Sequence, residues 1–161
     1  MRPSRLLLVA GVAIAVFALD RVTKAWVSEN IPLGTARPVV GDYVRIVHAQ
    51  NTGAAFGLLP ERTTLLSVLS VVAVLAIVYY YRQIASSSWL VTATLGMQLG
   101  GAAGNLVDRV RQGFVVDFID VGIGDVRFWA FNVADSSIVV GIALVTFALW
   151  REERRAQAKP A

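Results

Sequence analysis

Residues 101–137 read GAAGNLVDRVRQGFVVDFIDVGIGDVRFWAFNVADSS and lie between two long apolar runs. This stretch organises the rest of the chain. It holds five aspartates, Asp108, Asp117, Asp120, Asp125 and Asp135, of the 11 acidic residues in the chain. Asn105 and Asn132 stand beside its apolar segments. Carboxylates near a bilayer are costly and need a reason to be there. The flanking runs therefore read as a membrane scaffold that gathers some of these groups.

Composition agrees with that reading. The chain of 161 residues fits one domain. Apolar residues make up 56% and charged residues 16%, which points to a membrane protein. The net charge of +4 comes from basic residues that flank apolar runs. No basic stripe with interleaved aromatics is present, so nucleic acid is not the expected partner. With no cysteine, disulfides, thiolate metal sites and a cysteine nucleophile are excluded.

Outward from the central stretch, four spans are predicted at about 6–26, 63–81, 89–107 and 134–150, in one domain covering 1–161. The first begins with an unbroken apolar run of 14 residues at 6–19. A signal peptide would look similar, but this run ends in Asp20-Arg21 and not in a small-x-small cleavage site. Asp20 and Lys24 share a helix face, and their spacing alone reads as an interfacial ion pair that ends the helix. The second span closes on an aromatic belt, Tyr79-Tyr80-Tyr81. In the third, Gly96, Gly100 and Gly104 recur every four residues, which lets another helix backbone approach closely. Gly101, Asn105 and Asp108 lie roughly on one side of it. Residues 151–161 read as an irregular, charged cytoplasmic tail.

Between the first two spans, Val39-Val40 and residues 43–49 are β-rich, with a turn at Gly41-Asp42, and predict a small sheet on the membrane surface. Asn51-Thr52-Gly53-Ala54-Ala55-Phe56-Gly57 reads as a loop returning to the bilayer. His48, the one histidine, has no partner cluster and is assigned no role. The short segments 1–5, 82–88 and 151–161 are denser in Lys and Arg per residue than the long ones, which places both termini in the cytoplasm. The polar motifs then gather at the outer face: Asp20 and Lys24, Asn51 and Gly53, Asn105, Asp108 and Arg109, Asp117 in the following loop, and Asn132 and Asp135. Helix capping also accounts for Asn132, Asp135 and Ser136, and a C-terminal charge pair for Asp108-Arg109. Asp117 is harder to explain this way, because Val115-Val116 and Phe118-Ile119 flank it.

Without cysteine, a histidine cluster or Gly-x-Ser-x-Gly, the chemistry left to the chain is that of carboxylates. Two neighbouring aspartates share one proton; the ionised one activates water and the protonated one polarises a carbonyl, with no cofactor. Spacing does not say whether Asp117 meets Asp135.

The ordered motifs Asp20-x-x-x-Lys24, Asn51-Thr52-Gly53-Ala54-Ala55-Phe56, Gly104-Asn105-x-x-Asp108-Arg109, Val116-Asp117-Phe118 and Phe131-Asn132-x-Ala134-Asp135 resemble those of the bacterial lipoprotein signal peptidases, signal peptidase II. The resemblance covers nearly the whole chain. It implies an all-α membrane protein with four transmembrane helices and a small β-sheet on the extracytoplasmic face, in the bacterial inner membrane. It implies an aspartic endopeptidase that cleaves diacylglyceryl-modified prolipoproteins before the lipidated cysteine and acts as a monomer among membrane lipids. By match, Asp117 and Asp135 are the catalytic pair. Asn51, Gly53, Asn105, Arg109 and Asn132 position substrate and the pair, and Asp20, Lys24 and Asp108 support the site. The competing class is a non-enzymatic four-helix membrane scaffold, in which the aspartates are caps, ion pairs or a proton path. Gly122-Ile123-Gly124-Asp125 resembles the Gly-x-Gly-Asp signature of another intramembrane protease class, but it lies in a loop and is read as accidental.

Overall fold

The computed structural model describes residues 3–53, 62–84 and 88–157, with the backbone alone at 80–84, 152 and 156. The Ala54-Ala55-Phe56-Gly57 loop, Ser86-Ser87 and the last four residues lie outside the described residues, as do the side chains of Tyr80 and Tyr81.

The chain runs α1 (Pro3–Asn30), β1 (Ala36–Val40), β2 (Val44–Asn51), α2 (Thr63–Ile84), α3 (Trp89–Gln112), β3 (Val115–Ile123), β4 (Val126–Arg127) and α4 (Val133–Gln157). The apolar runs form helices, as their length predicts. Residues 3–30 and 133–155 are long and apolar enough to cross a membrane, and 63–79 is a shorter apolar helix. The tail expected to be irregular from Arg151 is instead helical as far as Gln157. The run Arg151-Glu152-Glu153-Arg154-Arg155-Ala156-Gln157 contains no Gly or Pro, so nothing in it breaks the helix that the preceding apolar run starts.

α3 is the central helix and packs against α1, α2 and α4. Its inward side is built from small and polar residues, while Leu7, Ile14, Leu75 and Val139 on its neighbours are more than 60% exposed. That distribution is the reverse of a soluble core and leaves close van der Waals packing as the force between helices. Gly100 and Gly101 make the approach possible. A Cβ on Gly100 would lie 2.5 Å from the Ala13 carbonyl oxygen of α1, and one on Gly101 2.6 Å from that of Ala134 on α4. α3 ends at Gly113, left-handed at φ 81°, whose N–H bonds the Arg109 carbonyl.

The sheet has four antiparallel strands in the order β1-β2-β3-β4. The β1–β2 hairpin turns at Gly41, as the sequence predicts. The other half is a correction: Asp117 lies on β3, not in a loop. Val115, Val116, Asp117 and Phe118 are all buried, so the strand lacks the alternation that marks a half-exposed strand. Val116 and Phe118 pack with Val27 and Ile31 and seat the sheet on the C-terminal end of α1. His48 Nδ1 donates to the Ile31 carbonyl oxygen at 2.8 Å and fixes the turn between α1 and β1. Asp120 ties β3 to β2 and β4 through Arg45 (2.8 Å) and Arg127 (3.0 Å). Burial pushes the Asp120 carboxyl up, but the two arginines outweigh it and hold it below the usual carboxylate range.

Candidate active site

The site begins at a buried lysine. Lys24 Nζ lies 2.8 Å from Asp20 Oδ2 and 2.7 Å from Asp108 Oδ2, and donates to Asn105 Oδ1 at 2.9 Å. Lys24 thus makes one hydrogen bond and two close ion pairs. Arg21 pairs with the other oxygen of Asp108, so the cluster carries two cations and two anions. Asp20 also reaches across to α4, where its Oδ1 accepts the Ala134 N–H at 3.0 Å. A carboxylate from the first helix thus serves the exposed N–H groups at the start of the last. Gly104 gives it room, since a Cβ there would lie 2.6 Å from Asp20 Oδ2.

Asn105 carries the order of this cluster toward Asp135. With its oxygen held by Lys24, its nitrogen can only point the other way, and it donates to Asp135 Oδ1 at 2.7 Å. Asn132 works in the same manner between the two aspartates. Its Oδ1 accepts the Asp135 N–H at 2.9 Å, and its Nδ2 donates to Asp117 Oδ1 at 2.6 Å. Asp135 Oδ2 returns to the Asn132 N–H at 3.3 Å, which completes a reciprocal cap on α4. Capping and site-building, alternatives on spacing alone, are here the same set of bonds.

Asp117 is reached from the sheet side as well. β2 and β3 pair Ala49 with Asp117 and Asn51 with Val115, so Asn51 is the diagonal neighbour of Asp117 on one face. Asn51 Nδ2 donates to Asp117 Oδ2 at 2.9 Å, and its Oδ1 accepts the Gly53 N–H at 2.8 Å. Arg109 Nη2 holds the Gly53 carbonyl at 3.0 Å. The ten residues singled out by motif therefore form one connected network. Asp125 stands apart, exposed at the β3–β4 turn, and Asp120 belongs to the sheet's own ion pairs.

Asp117 and Asp135 line one cavity of about 350 Å³, together with Asn51, Asn105 and Arg109. Phe128, Trp129, Phe131, Val139 and Val140 form much of the remaining wall; of these only Phe131 stands in a motif, and none was assigned a site role from sequence. Their signal was the aromatic run Phe128-Trp129-Ala130-Phe131 just before Asn132. Arg21 was missed too, because it read as an ordinary flanking charge. Burial first, and then the charge of Asp135, push the Asp117 carboxyl from 3.8 up to about 7, against the two amide donors that favour its ionised form. A carboxyl group that titrates near neutral pH beside a second carboxylate suits acid–base work on a polar bond.

A family model described as signal peptidase (SPase) II matches residues 12–151. A lipoprotein signal peptidase of Halothermothrix orenii is 41% identical over 145 residues, 89% of this chain and 95% of the relative. One of Syntrophotalea carbinolica is 41% identical over 150 residues, 91% of this chain and 93% of the relative. A solved bacterial membrane enzyme superimposes with a TM-score of 0.83 at 30% identity, covering 100% of this chain and 96% of its own. A second bacterial membrane enzyme gives 0.78 at 32% identity, over 92% of this chain and 94% of its own.

Proposed function

This chain belongs to the signal peptidase II family, a family of bacterial membrane peptidases, and we propose that it is an aspartic endopeptidase that cuts diacylglyceryl-modified prolipoproteins just before the lipidated cysteine. The observation that carries this reading is that Asp117 and Asp135 open onto one cavity and are cross-linked by the side chain of Asn132. Asp117 keeps the shared proton, since burial and the charge of Asp135 both favour its acid form. Asp135 takes a proton from a water molecule as that water attacks the scissile carbonyl, and Asp117 gives its proton to the carbonyl oxygen. Collapse of the tetrahedral intermediate returns that proton to Asp117, while the proton on Asp135 passes to the leaving amine. Arg109 and the Asn51–Gly53 turn flank the extended peptide, and Lys24 holds the dyad in place through Asn105. Asp20 and Asp108 are the counter-charges that keep Lys24 in position.

The four helices span the membrane in this reading. Even α2, with 22 residues, reaches about 33 Å at 1.5 Å per residue, enough for a hydrocarbon core of about 30 Å. Both termini and the tail lie in the cytoplasm, and the sheet and dyad lie at the extracytoplasmic face. The protein works as a single monomeric domain. Val139 and Val140 line the cavity while remaining 66% and 47% exposed, so a lipidated substrate can enter sideways with its acyl chains still in the bilayer. The peptide must unwind there, because a helical bond is protected by its own hydrogen bonds.

Cleavage of a diacylglyceryl-modified prolipoprotein peptide in detergent micelles tests this. Wild type should cut, and Asp117→Asn and Asp135→Asn should each bind substrate but cut slower by about 10²–10⁴-fold. Near-full activity in either variant overturns the dyad. A correctly folded wild type that cuts nothing favours the scaffold.

A further inference from the structure

The end of the helix bundle opposite the dyad holds a second cavity. It measures about 260 Å³ and lies between the start of α3 and the last turns of α4, where Ser88, Trp89, Phe147, Arg151 and Arg155 line it. Arg151 and Arg155 are four residues apart, so one side of α4 brings two guanidinium groups to the same space. The facing wall is the first turn of α3. Ser88 caps that turn by accepting the Val91 N–H at 3.1 Å, and the turn has no acidic residue. Arg5 adds a third cation nearby, donating to Thr92 Oγ1 at 2.9 Å. Cations set against the positive end of a helix raise its energy, and an anion between them lowers it. Among the described residues, neither Arg151 nor Arg155 has a carboxylate in ion-pair range. Arg154 behaves differently. It lies over the Trp150 ring, 5.3 Å from the centroid, and does not line the cavity. Trp89, Phe147 and Trp150 are each at least 50% exposed at this level, a collar of aromatic side chains of the kind that favours lipid headgroups.

We propose that this cavity binds the phosphodiester headgroup of an anionic glycerophospholipid, with Arg151 and Arg155 on the phosphate oxygens and Trp89 and Phe147 against the glycerol and upper acyl chain. The proposal rests on the reading of the four helices as membrane spans with cytoplasmic termini. The planar fork of arginine matches phosphate in two places at once. Basic pockets between helix ends on the cytoplasmic side are a common form of headgroup site. The exposed apolar flanks of α4 below the cavity, with Leu149 48% and Phe147 50% exposed, provide a track for the acyl chains that a free phosphate ion would not need.

Native mass spectrometry of the full-length protein, released from neutral detergent after titration with phosphatidylglycerol or phosphatidylcholine, reads the bound lipid directly. Cleavage of the prolipoprotein peptide is measured on the same samples in neutral micelles. Wild type should retain phosphatidylglycerol in preference to phosphatidylcholine. Arg151→Gln and Arg155→Gln should each lower that retention by roughly fivefold. Arg154→Gln removes the same charge from outside the cavity and should leave retention unchanged. Equal retention of the two lipids overturns the proposal. So does an equal loss in Arg154→Gln, which would mean diffuse surface attraction, or displacement of the lipid by millimolar inorganic phosphate, which would mean a soluble anion. Cleavage by all three variants should match wild type. Normal cleavage without headgroup preference removes this proposal alone, whereas headgroup preference without cleavage removes the peptidase reading and leaves the lipid site standing.

Discussion

Replacing Lys24 by methionine tests the buried charge cluster beneath the dyad. Lys24, Asp20 and Asp108 are each no more than 1% exposed, and Lys24 Nζ is within 2.9 Å of three acceptors. With Arg21 the cluster sums to zero charge. Methionine nearly preserves the volume and removes one cation, which leaves a net charge of −1 on the cluster, with its one remaining cation, Arg21, partly exposed. Removing one member of a buried ion pair costs about 3–5 kcal/mol. At roughly 2–4 °C per kcal/mol for a domain of this size, the midpoint of thermal unfolding should fall by roughly 6–20 °C. The four tryptophans give a fluorescence signal for following it in detergent. Adding Asp20→Asn to Lys24→Met returns the sum to zero while keeping the Arg21–Asp108 pair, and the new amide oxygen can still accept the Ala134 N–H. The double variant should recover at least half of the lost midpoint. If Lys24→Met melts within about 2 °C of wild type, or the double variant is no better than the single, charge balance is not what Lys24 supplies.

Three further outcomes follow from the same geometry. Asn51→Ala removes a donor to ionised Asp117; if the active dyad holds one proton, activity falls as pH rises through about 7, and losing a bond worth about 1.5 kcal/mol moves that falling limb up by about one pH unit. A limb that stays put or moves down in the kcat/KM profile contradicts the assignment. Gly104→Ala, whose Cβ would press on Asp20, should cost about 1–3 kcal/mol, whereas Gly11→Ala, with nothing within 4 Å, should be neutral or raise the midpoint; equal effects would refute the close-approach argument. Asp120→Asn removes the close ion pairs of Arg45 and Arg127, leaving them the longer ones to Asp42, and loosens β4, which leads into the Phe128-Trp129 wall of the cavity, so KM should rise severalfold with kcat retained; a fall in kcat alone would place Asp120 in the chemistry.

The helices were legible because each is a long apolar run bounded by charge or turn residues, and burial on one side or in lipid asks little more of a sequence. The β1–β2 hairpin was legible because its turn, Gly41-Asp42, is local. The β3 strand was not, since Val115, Val116, Asp117 and Phe118 are covered on both faces and show no alternation. Its partner strand ends more than sixty residues earlier, so neither segment alone reveals the pairing that sets Asn51 diagonal to Asp117. Motif order identified Asp20, Lys24, Asn105 and Asn132, but spacing could not tell a cap from a site residue. Asn132 and Asp135 cap α4 with the same side chains that join them to Asp117 and Asn105, so capping and membership of the network are not alternatives that local spacing could separate. The cavity wall from Phe128 to Phe131 stayed hidden because apolar residues are plentiful in such a chain and their placement depends on β4 folding back.

The bond from Asp20 to the Ala134 N–H joins residues 114 positions apart, the first helix to the last. Ribosomes make chains from one end, so a copy synthesised only as far as β4 has Asp117 but lacks Asp135, the Asn132 cross-link and the backbone group that Asp20 must grip. On the proposed dyad, half-finished copies therefore lack the residues for cleavage. In that reading the dyad and its supports are complete only once the final helix lies beside the first, where Asp20 grips the Ala134 N–H.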